Sequence, residues 1–151
     1  MYNESLAILR LVGRQFGYYP PEHHDMWQAD ALVDYTNDFI GKLVGIVFFE
    51  KRLDESGQND YSGHLRTMVT FLNKKLEHGK DFLVGDKLTI ADFIVASVIF
   101  AHVHNDAYIG GKAFTDKGKA IVAEFAHFAK YIERMQHQLK EYLATRPAAP
   151  L

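Results

Sequence analysis

The sequence predicts an all-α fold, a single bundle of five or six helices, on three observations. Apolar residues recur every three or four positions along most of the chain. No segment alternates apolar and polar residues between turn signals, and no Asn-Gly or Asp-Gly hairpin dipeptide occurs. The 151 residues, 48 % apolar and 24 % charged, have the balance of a globular domain long enough to bury one sizeable core.

The elements follow in order. Ser5 to Phe16 sets Leu6, Leu9, Val12 and Phe16 on one helical face and stops at Gly17, ahead of Pro20 and Pro21. A long helix is expected from Pro21 to about Arg52, with Leu32, Tyr35, Phe39, Leu43, Ile46 and Val47 in register and Pro21 suited to its first turn. The polar run Asp54–Asp60 reads as a loop. The next helix runs from about Asn59 to Glu77 and stops at Gly79. Phe82–Asp86 forms a short turn. From Thr89 to about His104 the pattern is apolar on every side, as for a helix enclosed by others. After a loop at Gly110-Gly111, one last helical region carries Ile121, Phe125, Phe128, Ile132, Met135, Leu139 and Leu143.

Composition removes several function classes. A net charge of −2 with scattered Lys and Arg leaves no electrostatic footprint for nucleic acid or an anionic membrane. The absence of Cys rules out disulfides, thiolate metal sites and a Cys nucleophile in these residues, and fits a reducing compartment, so a cytoplasmic location is expected. Phe93–Val103, the longest mainly apolar run, is about half the length a bilayer span needs. Glu4, Arg10 and Arg14 interrupt what a signal peptide would keep apolar. His23-His24 and His102-x-His104 diverge around a helix, and Glu124-x-x-His127 stands alone, so no metal site is expected.

Leu88-Thr89-Ile90-Ala91-Asp92-Phe93 carries the strongest local signal. Thr89 and Asp92 have the spacing of a capping box, and Leu88 can staple against Phe93. This box opens an all-apolar helix and follows Phe82-Leu83-Val84-Gly85-Asp86. Together they resemble the folding signature of the glutathione S-transferase C-terminal domain, with Thr89 and Asp92 as its capping pair. Glu4-Ser5-Leu6-Ala7-Ile8-Leu9-Arg10 is similar to the last helix of that family's thioredoxin-like domain, and Ala31–Phe39 to the first C-terminal-domain helix of its sigma-type branch.

The resemblance implies a division into residues 1–19, the final helix and linker of a thioredoxin-like domain, and residues 20–151, the C-terminal helical domain. A family member would begin with a thioredoxin-like domain of about 80 residues, ordinary for a domain. Most of it would then be missing here. The Tyr, Ser or Cys that stabilises the glutathione thiolate would go with it, so no catalytic residue is assigned and the chain alone is expected to be inactive. Many relatives also have a Pro within the counterpart of Arg134–Tyr142; none occurs here, and a continuous helix is expected.

Glutathione as co-substrate would be held, by resemblance, at Glu4 and Ser5 through its γ-glutamyl end, and by Asp38 reaching across a dimer. Ser5 also suits a plain helix cap, which fits both readings. Asp30, Asp34 and Asp38 share one helix face, where like charges repel and a cationic partner would help. Gly41 and Gly45 continue that face and suggest close approach by another helix or a ligand, with packing the plainer cause. Ile40 and Ile94 are candidate walls of a substrate pocket, or core.

Two functions compete. One is a transferase contributing a hydrophobic substrate site and dimer contacts for thiolate attack on an electrophile, or for a glutathione-dependent isomerisation. The other is a non-catalytic interaction module derived from such an enzyme, since fold alone does not fix function. The Leu6, Leu9, Val12, Phe16 stripe needs cover, so a homodimer or a partner protein is expected there, and no nucleic acid or membrane.

Overall fold

The computed structural model describes residues 4–147 and 149, and among these every regular element is helical. Seven α-helices form: α1 Ser5–Gln15, α2 His23–Val44, α3 Glu55–Lys75, α4 Ile90–Val98, α5 Lys112–Glu124, α6 Ala126–Gln138 and α7 Lys140–Thr145. Five-residue π-helical turns, Gly45–Phe49 and Ile99–Val103, extend α2 and α4.

The core lies where α3 packs on α2, α5 and α6, and where α4 packs on α2 and α6. Tyr61, Leu65, Met68, Val69 and Leu72 from α3 share one buried cluster with Ile90, Val95, Val98 and Ile99 of the α4 segment. The α4 segment is enclosed as its composition predicts. Its one less buried stripe, Phe93, Ser97 and Ala101, recurs every four residues and faces a cavity.

Four expectations are corrected. The Asp54–Asp60 run is not a loop, because α3 begins at Glu55 with Asp54 as its N-cap, accepting from the Gly57 N–H at 3.0 Å. Gly57 is there for contact rather than flexibility: a Cβ at that position would meet the Arg52 carbonyl oxygen at 1.8 Å. The last helical region is three helices. It breaks at Phe125, whose backbone is extended (φ −111°, ψ 90°), and bends at Leu139 (φ −99°, ψ 12°) despite the lack of proline. These breaks let Phe128 and Tyr131 reach the core while Leu139 and Leu143 turn toward α1 and α4. The long second helix starts two residues after Pro21, and the helix count is seven rather than five or six among the described residues.

Ser5 does not cap α1. Glu4 holds the N-cap place at φ 64°, and no side chain bonds there. Lower down, α1 is fixed to the bundle. Arg10 donates to Asp30 at 2.7 Å and to Asp34 at 2.6 Å. Gly13 sits against Ile90, where a Cβ would come within 2.3 Å of the side chain. The Ile90 N–H donates to the Tyr18 carbonyl at 2.9 Å.

Candidate functional site

The cavity is built from four elements that the contacts above hold in place. α1 supplies Ser5, Leu6 and Leu9, α2 supplies Asn37 and Ile40, and the α4 segment supplies Phe93, Ile94, Ala96, Ser97, Phe100 and Ala101. Leu139 and α7, with Tyr142, Leu143 and the adjoining Arg146, close the far side. Its volume is about 710 Å³, within the range of small-molecule sites. The lining is chiefly apolar, with small residues Ala96, Ser97 and Ala101 leaving the space open. Ser97 turns its hydroxyl back to the Ile94 carbonyl at 2.8 Å, so that polar group is already satisfied.

Of the residues singled out from sequence, Ser5, Ile40 and Ile94 lie together on this cavity. Glu4 is exposed beside Ser5. Asp38 is not on the cavity. It lines a separate open groove of about 460 Å³ with Gly41, Lys42, Gly45, Glu50 and His64. Its neighbour Asn37 faces the cavity instead, since consecutive helical residues diverge by about 100°. Among the described residues a Cβ at Gly41 would meet nothing within 4 Å, and at Gly45 only a Glu50 carboxylate oxygen at 4.0 Å, so packing against those residues does not account for these glycines.

The acidic face of α2 is largely neutralised from within. Arg10 bridges Asp30 and Asp34, and the Tyr19 hydroxyl donates to Asp30 at 2.5 Å. Burial pushes the Asp30 carboxyl up, but the hydrogen bonds from Tyr19 and Arg10 outweigh it and hold the carboxyl below its usual range. This network steers α1 so that its N-terminal turn opens on the cavity. Because Glu4 makes no side-chain cap, the first N–H groups of α1 have no side-chain acceptor among the described residues. The first intrahelical bond recorded is Ile8 N–H to the Glu4 carbonyl at 3.0 Å.

Thr89 and Asp92 form their capping box, but its centre is a buried network that sequence spacing did not reveal. Asp92 accepts from the Thr89 N–H at 2.8 Å, the Thr89 hydroxyl at 3.1 Å, the Leu83 N–H at 3.0 Å and the Tyr131 hydroxyl at 3.1 Å. Burial pushes the Asp92 carboxyl up, and these four donors counteract it. The network ties the Phe82–Asp86 turn and α6 to the start of α4, a structural task.

Sequence reasoning missed Asn37, Ser97, Phe100, Tyr142 and Arg146 as cavity residues. The 4-residue recurrences Leu139–Leu143 and Tyr142–Arg146 could have signalled a face of α7 turned toward one site. Among the described residues no group of three or more His, Asp or Glu is placed to hold a metal ion, and no helix is long and apolar enough to cross a membrane.

The α1 stripe divides. Leu6 and Leu9 pack partly on the core and line the cavity, whereas Val12 and Phe16 are 42 % and 63 % exposed, with Leu11 beside them.

Known proteins agree with this architecture. The "Glutathione S-transferase, C-terminal domain" family matches residues 37–146. Human glutathione S-transferase P is 28 % identical over 66 % of the chain and 47 % of its own length. Glutathione S-transferase 3 of Caenorhabditis elegans is 28 % identical over 97 % of the chain and 69 % of its own length. The chain thus spans about half the human relative and two thirds of the nematode one. The solved glutathione S-transferase Blo t 8 superposes with a TM-score of 0.80 at 26 % identity, covering 99 % of this chain and 67 % of that one. Monomeric Na-GST-3 of the hookworm Necator americanus shares the fold, with a TM-score of 0.79 at 23 % identity, covering 99 % and 71 %. With the family match covering well over half the chain, and with the capping box, the enclosed α4 and the cavity beside it, this protein belongs to the glutathione S-transferase family and carries its C-terminal domain.

Proposed function

We propose that this chain supplies the apolar electrophile site of a glutathione transferase together with one end of its glutathione site. The observation that carries the reading is the joint presence of Ser5, at the uncapped start of α1, and of Ile40 and Ile94 on one apolar cavity. Unpaired N–H groups at a helix start, with the positive end of the helix dipole, suit the γ-glutamyl carboxylate of glutathione. Glu4, beside Ser5, suits the γ-glutamyl amine. Its φ of 64° is unusual for a non-glycine residue, and such backbone is often retained at binding sites. The reaction is thiolate attack on an apolar electrophile, or a glutathione-dependent isomerisation, at this cavity. Activation lowers a thiol pKa from about 8.5 so that thiolate is present at neutral pH. No cavity residue is assigned that task, so on this reading the 151 residues bind without turning over.

The remaining parts of the reading are a cytoplasmic protein, residues 1–19 as the end of a thioredoxin-like domain, and residues 20–151 as the helical domain. A homodimer would use Asp38 across its interface, and a second surface at Leu11, Val12 and Phe16 would be covered by another chain. The interaction-module reading gains nothing from the named relatives, which carry the enzyme's name.

Calorimetric titration with glutathione tests the proposal. Binding that weakens about tenfold in Ser5→Ala is expected, near the 1.4 kcal/mol worth of one good contact. Undiminished binding in Ser5→Ala would overturn the Ser5 assignment, and steady turnover of a general electrophile by the chain alone would overturn the assignment of no catalytic residue. Light scattering that finds only monomer at high concentration, with no dye-accessible apolar surface, would remove the association.

A further inference from the structure

Among the described residues, Arg146 is the only charged residue on the cavity. Its Nη2 donates to the Phe100 carbonyl at 2.7 Å, which anchors the guanidinium against the π-helical end of the α4 segment. That bond uses one of five donors. No carboxylate of the described residues lies within ion-pair distance, whereas Arg10, Arg52, Arg66 and Arg134 all have one. A half-buried cation thus sits at the rim of an apolar space, beside Leu143 and Tyr142. A ligand occupying this space meets hydrocarbon along its length and, at one end, a positive charge with no carboxylate partner among the described residues.

We infer that Arg146 is a specificity-determining residue that makes this cavity prefer apolar ligands bearing an anionic head, with a medium-chain alkyl carboxylate as the type. The assignment of substrate class rests on the proposal that the cavity is the electrophile site. The physical case is direct. An anion paired with a guanidinium already anchored at the rim of an apolar cavity gains more than it would in open water, and a bidentate carboxylate matches the remaining donors of the fork. A neutral ligand of the same length gains only the burial of its chain. The backbone bond to Phe100 also means that little side-chain freedom remains to be lost on binding.

The test uses the whole 151-residue chain and displacement of the neutral dye N-phenyl-1-naphthylamine by decanoate or by decan-1-ol at pH 7.5. Decanoate is expected to displace the dye at about one tenth the concentration of decan-1-ol, one good charge-assisted contact. The advantage should shrink at high salt. Arg146→Met should abolish it, and Arg146→Lys, which keeps the charge, should retain most of it. Circular dichroism melts establish that each variant is folded. Equal displacement by the two ligands, displacement by neither, or an advantage that survives in Arg146→Met overturns the inference; should Arg146→Met not fold, loss of the advantage in Arg146→Lys at low and high salt alike does so. No glutathione enters this experiment. A carboxylate preference without glutathione binding would therefore sink the transferase reading and leave the Arg146 preference standing, while glutathione binding without the preference would do the reverse.

Discussion

Two helix starts in this protein are finished in opposite ways. The start of α4 is closed by the chain itself: the Ile90 N–H donates to the Tyr18 carbonyl, the Asp92 and Phe93 N–H groups donate to the Thr89 carbonyl, and the Asp92 carboxylate gathers four further donors from three segments. The start of α1 opens on a cavity, with no side-chain cap and with Glu4 in an unfavourable backbone conformation. A closed end contributes to folding because its polar groups are paired away from water, whereas an open end leaves donors for a ligand. Structure and binding have thus been assigned to different helix termini about one bundle.

The contrast can be broken most forcefully at Asp92. Asp92→Ala leaves the Leu83 N–H, the Thr89 N–H and the Tyr131 hydroxyl without their acceptor, and a loss of about 3–5 kcal/mol in urea unfolding is expected. A loss under 1 kcal/mol would show the network to be incidental.

Acid should act next most strongly on the same buried segment. His102, in the π-helical extension of α4, has an Nδ1 without a partner among the described residues, and burial drives its pKa down to about 4 from 6.5. Between these values the unfolded chain binds a proton that the native chain refuses, so stability is full above about pH 6.5 and falls as pH drops toward 4, by at most about 3 kcal/mol. His102→Leu should flatten this part of the pH–stability curve; an unchanged slope would move the cause elsewhere.

Thr89→Val removes the capping hydroxyl but not the carboxylate, and should cost about 1–2 kcal/mol by the same unfolding measurement. At the open end the effect on folding should be smallest. Ser5→Ala is expected to change stability by less than about 0.5 kcal/mol, because its hydroxyl caps nothing, while weakening glutathione. A stability loss as large as that of Thr89→Val would erase the difference between the two ends.

Much of the fold was legible because it depends on short-range repeats. Periodicity located α1, most of α2 and the α4 segment, and Thr89–Asp92 marked where α4 begins. What misled was local chemistry whose outcome depends on neighbours. Asp54–Asp60 has the composition of a loop, yet one cap and the fit of Gly57 under Arg52 make it helical. Phe125 and Leu139 carry no breaker, and only the need to direct Phe128 and Tyr131 inward and Leu139 and Leu143 toward the cavity explains the breaks there.

The candidate site was legible only at its edges. Ser5, Ile40 and Ile94 were named individually, but nothing in their spacing brings residues 5, 40 and 94 to one cavity, and helical rotation separates Asn37 from Asp38 without saying which of them faces it. The recurrence of apolar residues and one capping box by themselves determined an all-helical bundle with an enclosed fourth helix, because those signals act within a few residues. Only the tertiary structure decided that Arg10 would neutralise two aspartates of α2, that Leu83 and Tyr131 would join Thr89 on Asp92, and that Arg146 would be the lone charge on the cavity among the described residues. Arg10 with Asp30 and Asp34, Tyr131 with Asp92, and Arg146 with Phe100 are each 20 or more positions apart, and the energy of pairing or burying a charge is set by what surrounds it in space.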